Sequence, residues 1–142
     1  DRAILGCLQE HRADLVVLAG YMKKLGAGTL EAFANRIINI HPALLPAFGG
    51  QGMYGERVHQ AVIASGARVT GATVHLVDEN YDSGSIIAQE VVKVLEGDTA
   101  ESVAERVLRV EHTLYPAVVR LFAERRVTVS GNRVCIQSRD DR

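Results

Sequence analysis

Several residue types that mark particular classes of protein are scarce in this sequence. Its 142 residues include no Trp, only two Cys and three Pro, and just 5% aromatic residues. The cysteines, Cys7 and Cys135, lie near opposite ends of the chain and form no C-x-x-C motif. Such sparse cysteine argues against a disulfide scaffold and favours a reducing compartment, so the cytoplasm is the expected location.

Long apolar runs and an excess of charge of one sign are lacking too. The longest apolar stretches, such as 15–19 and 91–94, are far shorter than the roughly 20 residues that span a bilayer. Lys and Arg number 16 against 17 Asp and Glu, a formal net charge of −1. We therefore expect neither a membrane nor a nucleic-acid partner. The histidines in helical contexts lack metal-ligand spacing, so no metal is expected either.

The pattern that is present is that of a single α/β domain. Short runs rich in Val, Ile and Leu alternate with stretches of helical periodicity, which predicts a largely parallel sheet with flanking helices. The run 15–19 is typical of a strand buried on both faces. Apolar residues at helical spacing predict a last helix after Asp98 that docks one face on the sheet, namely Val103, Val107, Val110, Leu114, Val118, Leu121 and Phe122. We expect Asp98 to cap this helix, with Glu101 reaching back to it. Strands are predicted at 14–20, 36–41, 72–77 and 86–95, helices at 29–34 and 57–64, and a hairpin within 127–136.

Polar side chains gather at the end of the second predicted strand. Asn39 and His41 are two residues apart, so both leave the same face of the strand, just before Pro42 turns the chain away. An amide beside a protonated imidazole suits a reaction that builds negative charge on a carbonyl oxygen. A carboxylate from the segment 78–84 would favour the imidazolium. The alternative, that backbone and solvent simply satisfy both side chains, stays open on periodicity alone.

The next strand carries a second histidine. His75 shares a strand face with Thr73, and we interpret these two as structural residues that orient the site. A serine-type hydrolase is disfavoured, because no Ser or Cys stands on a sharp Gly-flanked turn. Residues 26–28 do not form the glycine fingerprint of a dinucleotide site, since the third glycine is missing.

Two long segments carry a resemblance to a known family. The first reads Asn-Ile-His-Pro-Ala-Leu-Leu-Pro-Ala-Phe-Gly-Gly at 39–50, and the second runs from Gly-Ala-Thr-Val-His-Leu-Val-Asp-Glu at 71–79 to Asp-Ser-Gly-Ser-Ile-Ile-Ala-Gln at 82–89. In this order they resemble the formyltransferases that use 10-formyltetrahydrofolate as co-substrate, and most of all the branch that formylates glycinamide ribonucleotide in purine biosynthesis. The resemblance covers about residues 1–136 and implies the Rossmann-like formyltransferase fold.

The resemblance implies a role for each matching residue. Asn39 and His41 would stabilise the oxyanion formed when the substrate amine attacks the formyl carbon, with His41 as general acid. Asp82 would raise the pKa of His41 and help, through a water, to carry the proton to the departing folate nitrogen. Glu111 would contact glycinamide ribonucleotide, and the Gly-rich loop 49–55 would close over the site. The folate-binding residues would be Met22, Lys23, Lys24, Leu25, Asn39, Asp78, Glu79, Asn80, Tyr81 and Asp82.

The start of the chain differs from the family pattern. Asp1 stands where Met is expected, and the family's early strand and phosphate-binding Gly-rich loop have no counterpart in the sequence. We therefore expect an N-terminally truncated formyltransferase, with residues 1–137 as the C-terminal portion of the catalytic domain and 138–142 as a tail. Such a chain should be a poor enzyme by itself, and its uncovered strands favour a homodimer.

Other functions remain to be weighed. Methionyl-tRNA formyltransferase shares a similar motif, but it usually continues with an Arg-rich stretch and a further domain. Formyltetrahydrofolate deformylase tends to carry a second histidine where Pro42 stands. A sugar-amine formyltransferase is also possible, and a folate-binding remnant without turnover is the alternative of a different class. Lys24 and Ser85 depart from the usual pattern, since an apolar residue and a proline are more common there.

Overall fold

The computed structural model describes residues 1–21 and 23–139. β1 to β4 form one sheet in that order, and β5 pairs with β6 in the predicted terminal hairpin. This arrangement confirms the α/β fold class. Within the described residues, no helix is long and apolar enough to cross a membrane. In chain order the elements are α1 (Arg2–Glu10), β1 (Val16–Leu18), α2 (Ala27–Ala32), β2 (Ile37–His41), α3 (Glu56–Ser65), β3 (Val69–Leu76), β4 (Ile86–Lys93), α4 (Ala100–Ala123), β5 (Val127–Ser130) and β6 (Arg133–Ile136).

The four-stranded sheet is mixed, which corrects the expectation of a largely parallel one for the described strands. β1 and β2 are parallel, whereas β2–β3 and β3–β4 are antiparallel. The segment 77–85 between β3 and β4 contains no helix, so it can join only antiparallel neighbours. A helix does separate β2 from β3, but an intervening helix permits a parallel crossover without enforcing one.

β1 lies at one edge of the described sheet and is buried on one side. Val16 and Leu18 pack into an apolar cluster built on Leu25 and Phe33, and α1 packs against the same cluster. Val17 points the other way and is 42% exposed. The expectation that 15–19 is buried on both faces is therefore wrong within the described structure, because on the second face only Leu15 packs against the core, beside Val118 of α4, while Val17 and Ala19 stay exposed.

α4 is the long helix that covers the sheet. Its Val103 and Val107 pack against Ala72 and Val92 of the strands, and Val118 packs near the other end of the helix. Burying a Val side chain stabilises a fold by about 1.5–3 kcal/mol. The helical spacing of apolar residues in the sequence therefore correctly indicates which face of α4 docks on the sheet.

The N-terminus of α4 differs from the prediction by one residue. Thr99, not Asp98, is the N-cap: it has extended dihedral angles, its hydroxyl accepts from the Ser102 N–H, and the Ser102 hydroxyl accepts from the Thr99 N–H. Glu101 is one position too early to close such a box. Asp98 instead accepts from the Leu95 N–H and forms two hydrogen bonds with Arg106.

Candidate active site

A cavity of about 930 Å³ opens beside the carboxyl ends of β1 and β2, between the loops that follow them and α4. It is the place where an open α/β sheet usually binds ligands. Asn39, His41 and Asp82, which the sequence assigned to catalysis, all line it, and so does His75. Within the described residues, no group of three or more His, Cys, Asp or Glu side chains is placed to hold a metal ion.

Asn39 and His75 face each other across the β2–β3 register. The Asn39 Nδ2 atom lies 3.3 Å from His75 Nε2, and His75 Nδ1 lies 2.9 Å from the Leu76 carbonyl oxygen. A carbonyl only accepts, so Nδ1 of His75 carries a proton and, in the neutral ring, Nε2 accepts from the Asn39 amide. One amide hydrogen of Asn39 is thereby engaged, and the other remains for a ligand oxygen.

His41 occupies the last position of β2 and is only 3% exposed. Its Nε2 atom lies 2.7 Å from the Phe48 carbonyl oxygen. Its Nδ1 atom lies 3.7 Å from Asp82 Oδ2, and Asp82 Oδ1 lies 3.6 Å from His75 Nε2. Asp82 therefore sits between two imidazole rings, and the strand-end residues converge as the sequence suggested.

Burial is the largest influence on the pKa of His41. Removing the ring from water lowers its pKa below the ordinary 6.5, and the nearby Asp82 carboxylate and the Phe48 carbonyl only partly raise it again, while His75 lowers it. Asp82 thus raises the pKa of His41 as expected, but burial has the larger effect and the net shift is downward. Sequence spacing reveals a charge partner and cannot reveal how much water a fold excludes.

The Asp82 carboxylate keeps its charge in spite of partial burial. Burial raises its pKa, but His75, the Gly50 N–H and His41 together lower it below the ordinary value. The Gly50 N–H donates to Oδ2 at 2.9 Å. The Asp82 carboxylate is therefore a negative group that faces the His41 and His75 rings.

Thr73 lies beneath the cavity wall. Its hydroxyl donates to the Ala43 carbonyl at 2.7 Å and accepts from the Leu45 N–H and the Gln89 side-chain amide. These bonds anchor the chain just after Pro42 to the neighbouring strand. Thr73 and His75 are thus placed as orienting residues, in keeping with their interpretation from the sequence.

The residues expected to bind folate divide into three groups. Most of them line the cavity, and the Lys24 ammonium stacks over the Tyr81 ring at 4.8 Å from its centroid. Glu79 is exposed and is not among the lining residues. Met22 lies outside the described residues. The lining members are Lys23, Lys24, Leu25, Asn39, Asp78, Asn80, Tyr81 and Asp82.

α4 supplies the opposite wall of the cavity. Glu111 lines it, and burial raises the pKa of this carboxyl while His112 partly lowers it. Tyr115, one helical turn further, donates its hydroxyl to the Leu18 carbonyl at 2.6 Å and also lies 3.1 Å from the Ile38 carbonyl. The wall that carries Glu111 is therefore tied to both parallel strands, at the end of β1 and near the start of β2.

Sequence reasoning missed three features of the site. Tyr115 was not singled out, although a tyrosine among apolar helix positions is a signal for a buried hydroxyl that needs a partner. His59 of α3 was given no role, yet it is 5% exposed and lines the cavity. The backbone groups of Phe48 and Gly50 carry no side-chain signal and become visible only in the folded chain.

Comparison with known proteins places the chain among formyl transferases. The family model described as formyl transferase matches residues 1–119. A phosphoribosylglycinamide formyltransferase named as chloroplastic, from Vigna unguiculata, is 52% identical over 139 residues, which cover 97% of this chain and 45% of that protein. Another, from Bacillus subtilis, is 42% identical over 84% of this chain and 59% of its own length. The chain spans about half the length of these curated relatives.

Solved structures agree with this placement. Glycinamide ribonucleotide transformylase 1 from Symbiobacterium toebii is 47% identical with a TM-score of 0.88, over 96% of this chain and 62% of that one. A formyltetrahydrofolate deformylase from Pseudomonas syringae is 32% identical with a TM-score of 0.86, over 96% of this chain and 44% of that one. The same backbone therefore occurs in proteins named for two different fates of the formyl group.

Proposed function

Because this chain belongs to the formyl transferase family, we propose that it transfers the formyl group of 10-formyltetrahydrofolate to the amine of glycinamide ribonucleotide, a step of purine biosynthesis. The observation that carries this proposal is the convergence of Asn39, His41 and Asp82 in a single cavity. The names of the relatives at 42–52% identity support the choice of acceptor.

The proposed chemistry is an acyl transfer through a tetrahedral intermediate. The amine nitrogen attacks the formyl carbon, and the carbonyl oxygen becomes an oxyanion that accepts hydrogen bonds from the Asn39 amide and the His41 imidazolium. The carbon–nitrogen bond to the folate then breaks. The proton lost by the amine is delivered to the departing folate nitrogen, with His41 as general acid and Asp82 assisting through a water.

The two ends of the cavity suit the two substrates. We assign the pterin to the end formed by 23–25 and 78–82, where backbone groups and Tyr81 are available. We assign the nucleotide to the α4 wall, where Glu111 would contact it. The loop 49–55 also contributes lining residues, and we propose that it closes over both substrates.

The test is a formyl-transfer assay with 10-formyltetrahydrofolate and glycinamide ribonucleotide. Because the chain spans about half the length of its relatives, the assay uses the chain alone and a fusion, in which the N-terminal segment of the Bacillus subtilis relative precedes Asp1. We expect the fusion to form formylglycinamide ribonucleotide, and the isolated chain to do so poorly. A well-folded fusion that forms none would contradict the proposal.

Hydrolysis of the formyl group is the second candidate, because the deformylase from Pseudomonas syringae shares the fold. In that reaction water replaces the amine, and formate is released without any acceptor. Formate release is therefore measured with and without glycinamide ribonucleotide. Transfer predicts little formate when the amine is absent, whereas a deformylase releases formate in both cases.

Two further properties belong to the proposal. Association into a homodimer is supported by the exposed Val17 on the edge strand, and sedimentation tests it. A cytoplasmic location is supported by the two free cysteines. Two plant relatives are named as chloroplastic, so fractionation of cells is the measurement that decides the compartment.

A further inference from the structure

The backbone turn after β2 contacts both ionisable groups of the site. The Phe48 carbonyl oxygen lies 2.7 Å from His41 Nε2, and the Gly50 N–H donates to Asp82 Oδ2 at 2.9 Å. The two contacts come from positions two apart in the chain, so one short turn contacts both the His41 ring and the Asp82 carboxylate and fixes the distance between them. These contacts use main-chain groups only, and they are independent of the Phe48 side chain.

Each contact restricts the state of its partner. A carbonyl oxygen can only accept a hydrogen bond, so Nε2 of His41 carries a proton in both the neutral and the charged ring. Nδ1 is then the nitrogen that gains and loses a proton. Because Nδ1 is the atom that faces Asp82, at 3.7 Å, the exchangeable proton is directed toward the carboxylate.

The turn itself is under conformational constraint. Phe48 has a φ of +54°, which is uncommon for a bulky residue, and Gly50 has a φ of +99°. A Cβ on Gly49 would lie 2.5 Å from Leu45 Cδ2 and 3.2 Å from Asp82 Cβ. A bulky residue with positive φ, such as Phe48, is strained and persists only where surrounding structure holds it, often at functional sites.

We propose that the turn Phe48–Gly50 is a positioning segment that fixes His41 as its Nε2–H tautomer, so that Nδ1, opposite Asp82, is the single ring atom through which His41 exchanges a proton during formyl transfer. This inference rests on the proposed function for its catalytic meaning and on the turn geometry for its structural content. In the transfer, the imidazolium gives its Nδ1 proton to the departing folate nitrogen through the water that Asp82 holds, and Nδ1 then regains the proton that the amine loses, so no net proton is gained.

Other titratable groups face His41, and none of them offers Nε2 an alternative acceptor at hydrogen-bond distance in the described structure. Asp82 lies on the Nδ1 side, with His75 near its other oxygen, and burial together with charge repulsion from His41 lowers the pKa of His59 on α3. The Phe48 carbonyl is therefore the group that selects the tautomer.

The experiment is nitrogen-15 NMR of the 142-residue chain, since imidazole nitrogen shifts distinguish the two neutral tautomers and the cation. The His41 signals are assigned by their loss in His41→Asn. We expect neutral His41 to be Nε2–H alone, in contrast to the tautomer mixture of the same chain unfolded in urea. The Gly50 amide proton shift should also follow the titration of Asp82. A folded chain with the urea mixture, or with Nδ1–H, would overturn the inference.

Variants of the turn provide the second test. Gly49→Ala pushes the turn away from Asp82, and Gly50→Ala strains it without a steric clash, because nothing lies within 4 Å of the added Cβ. Each should turn the single tautomer into a mixture. Gly66→Ala is the matched control: it has a similar positive φ, +74°, and open space, but lies at the end of α3. Unchanged His41 spectra in every folded turn variant would contradict the proposal.

The NMR readout separates this inference from the proposed function because it requires no substrate. A fixed Nε2–H tautomer in a chain whose fusion transfers no formyl group would support the positioning role of the turn and contradict the transferase assignment. Full transfer activity with a mixed tautomer would contradict the inference and leave the assignment standing.

Discussion

Two aspartates of this protein keep their charge for different reasons. One lies in the candidate active site and the other at the start of α4, where it has a structural role. Asp98 lies at the start of α4 and is bonded to Arg106, a permanent cation, and to the Leu95 N–H. Asp82 lies between the imidazole rings of His41 and His75, neither of which is a permanent cation. Both carboxyls have a lowered pKa.

The difference lies in what each carboxylate can still do. Asp98 is fully engaged, because Arg106 and Ser102 occupy Oδ1 and Arg106 and the Leu95 N–H occupy Oδ2. Asp82 has one close donor, the Gly50 N–H, and faces two rings at more than 3.5 Å. A perturbed pKa is thus common to structural and functional groups, and the kind of partner distinguishes them.

The largest expected effect is on catalysis at Asp82. Asp82→Asn should lower the turnover of the fusion by about 10³-fold, within the range for general acid–base groups, because it removes the charge that opposes the effect of burial on His41. Folate affinity should change much less, since the shape is preserved. Asp98→Asn is the matched control and should retain turnover. An equal loss of turnover in Asp82→Asn and Asp98→Asn would contradict the distinction between the two aspartates.

Loss of the amide donor comes next in size. Asn39→Ala should reduce the turnover of the fusion by about 10²-fold, the usual cost of one oxyanion donor. It also leaves His75 Nε2 without the Asn39 amide as a hydrogen-bond partner. Steady-state turnover measures the effect, and an unchanged rate would show that Asn39 does not contact the oxyanion.

The stability of the chain should fall on acidification in two separate windows. The pKa values of His41 and His59 are lowered below 6.5, so the unfolded chain binds these protons first and stability is lost as pH falls through 6.5. The pKa of Asp98 is depressed below 3.8, so its contribution is present above that pH and is lost below it. Urea midpoints measured as a function of pH should show the loss of stability near pH 6.5 in both the original chain and Asp98→Asn. The loss of stability below pH 3.8 should be smaller in Asp98→Asn than in the original chain. Equal stability at pH 7 and 5 would contradict the histidine assignment.

The smallest effect tests the helix cap. Thr99→Ala should destabilise the chain by about 1 kcal/mol, the usual value for an N-cap hydroxyl, as measured by urea unfolding at pH 7. Glu101→Ala should change stability far less, because Ser102 closes the capping box. A larger loss of stability in Glu101→Ala than in Thr99→Ala would instead support the Asp98–Glu101 capping box that the sequence predicts.

Much of the fold was accessible from local pattern. The periodicity of apolar residues identified β2, α3, α4 and the β5–β6 hairpin, because each element buries one face or one run. Strand direction was less accessible, since hydrophobic pattern reports burial and is nearly silent about direction. The cap of α4 was misplaced by one residue, because Asp98 and Thr99 are both good cap formers and only the backbone angles choose between them.

What the sequence determined by itself is the chemical inventory of the site: an amide and an imidazole on one strand face, a carboxylate in a later loop, and the family motifs that join them. The tertiary structure alone decided their state. Burial lowered the His41 pKa against the opposite effect of Asp82, the Phe48 carbonyl selected the proton-bearing nitrogen, and Tyr115 tied α4 to β1 and β2. The physical reason is that desolvation and main-chain contacts depend on what surrounds a group in space, and neither leaves a mark on the residue types along the chain.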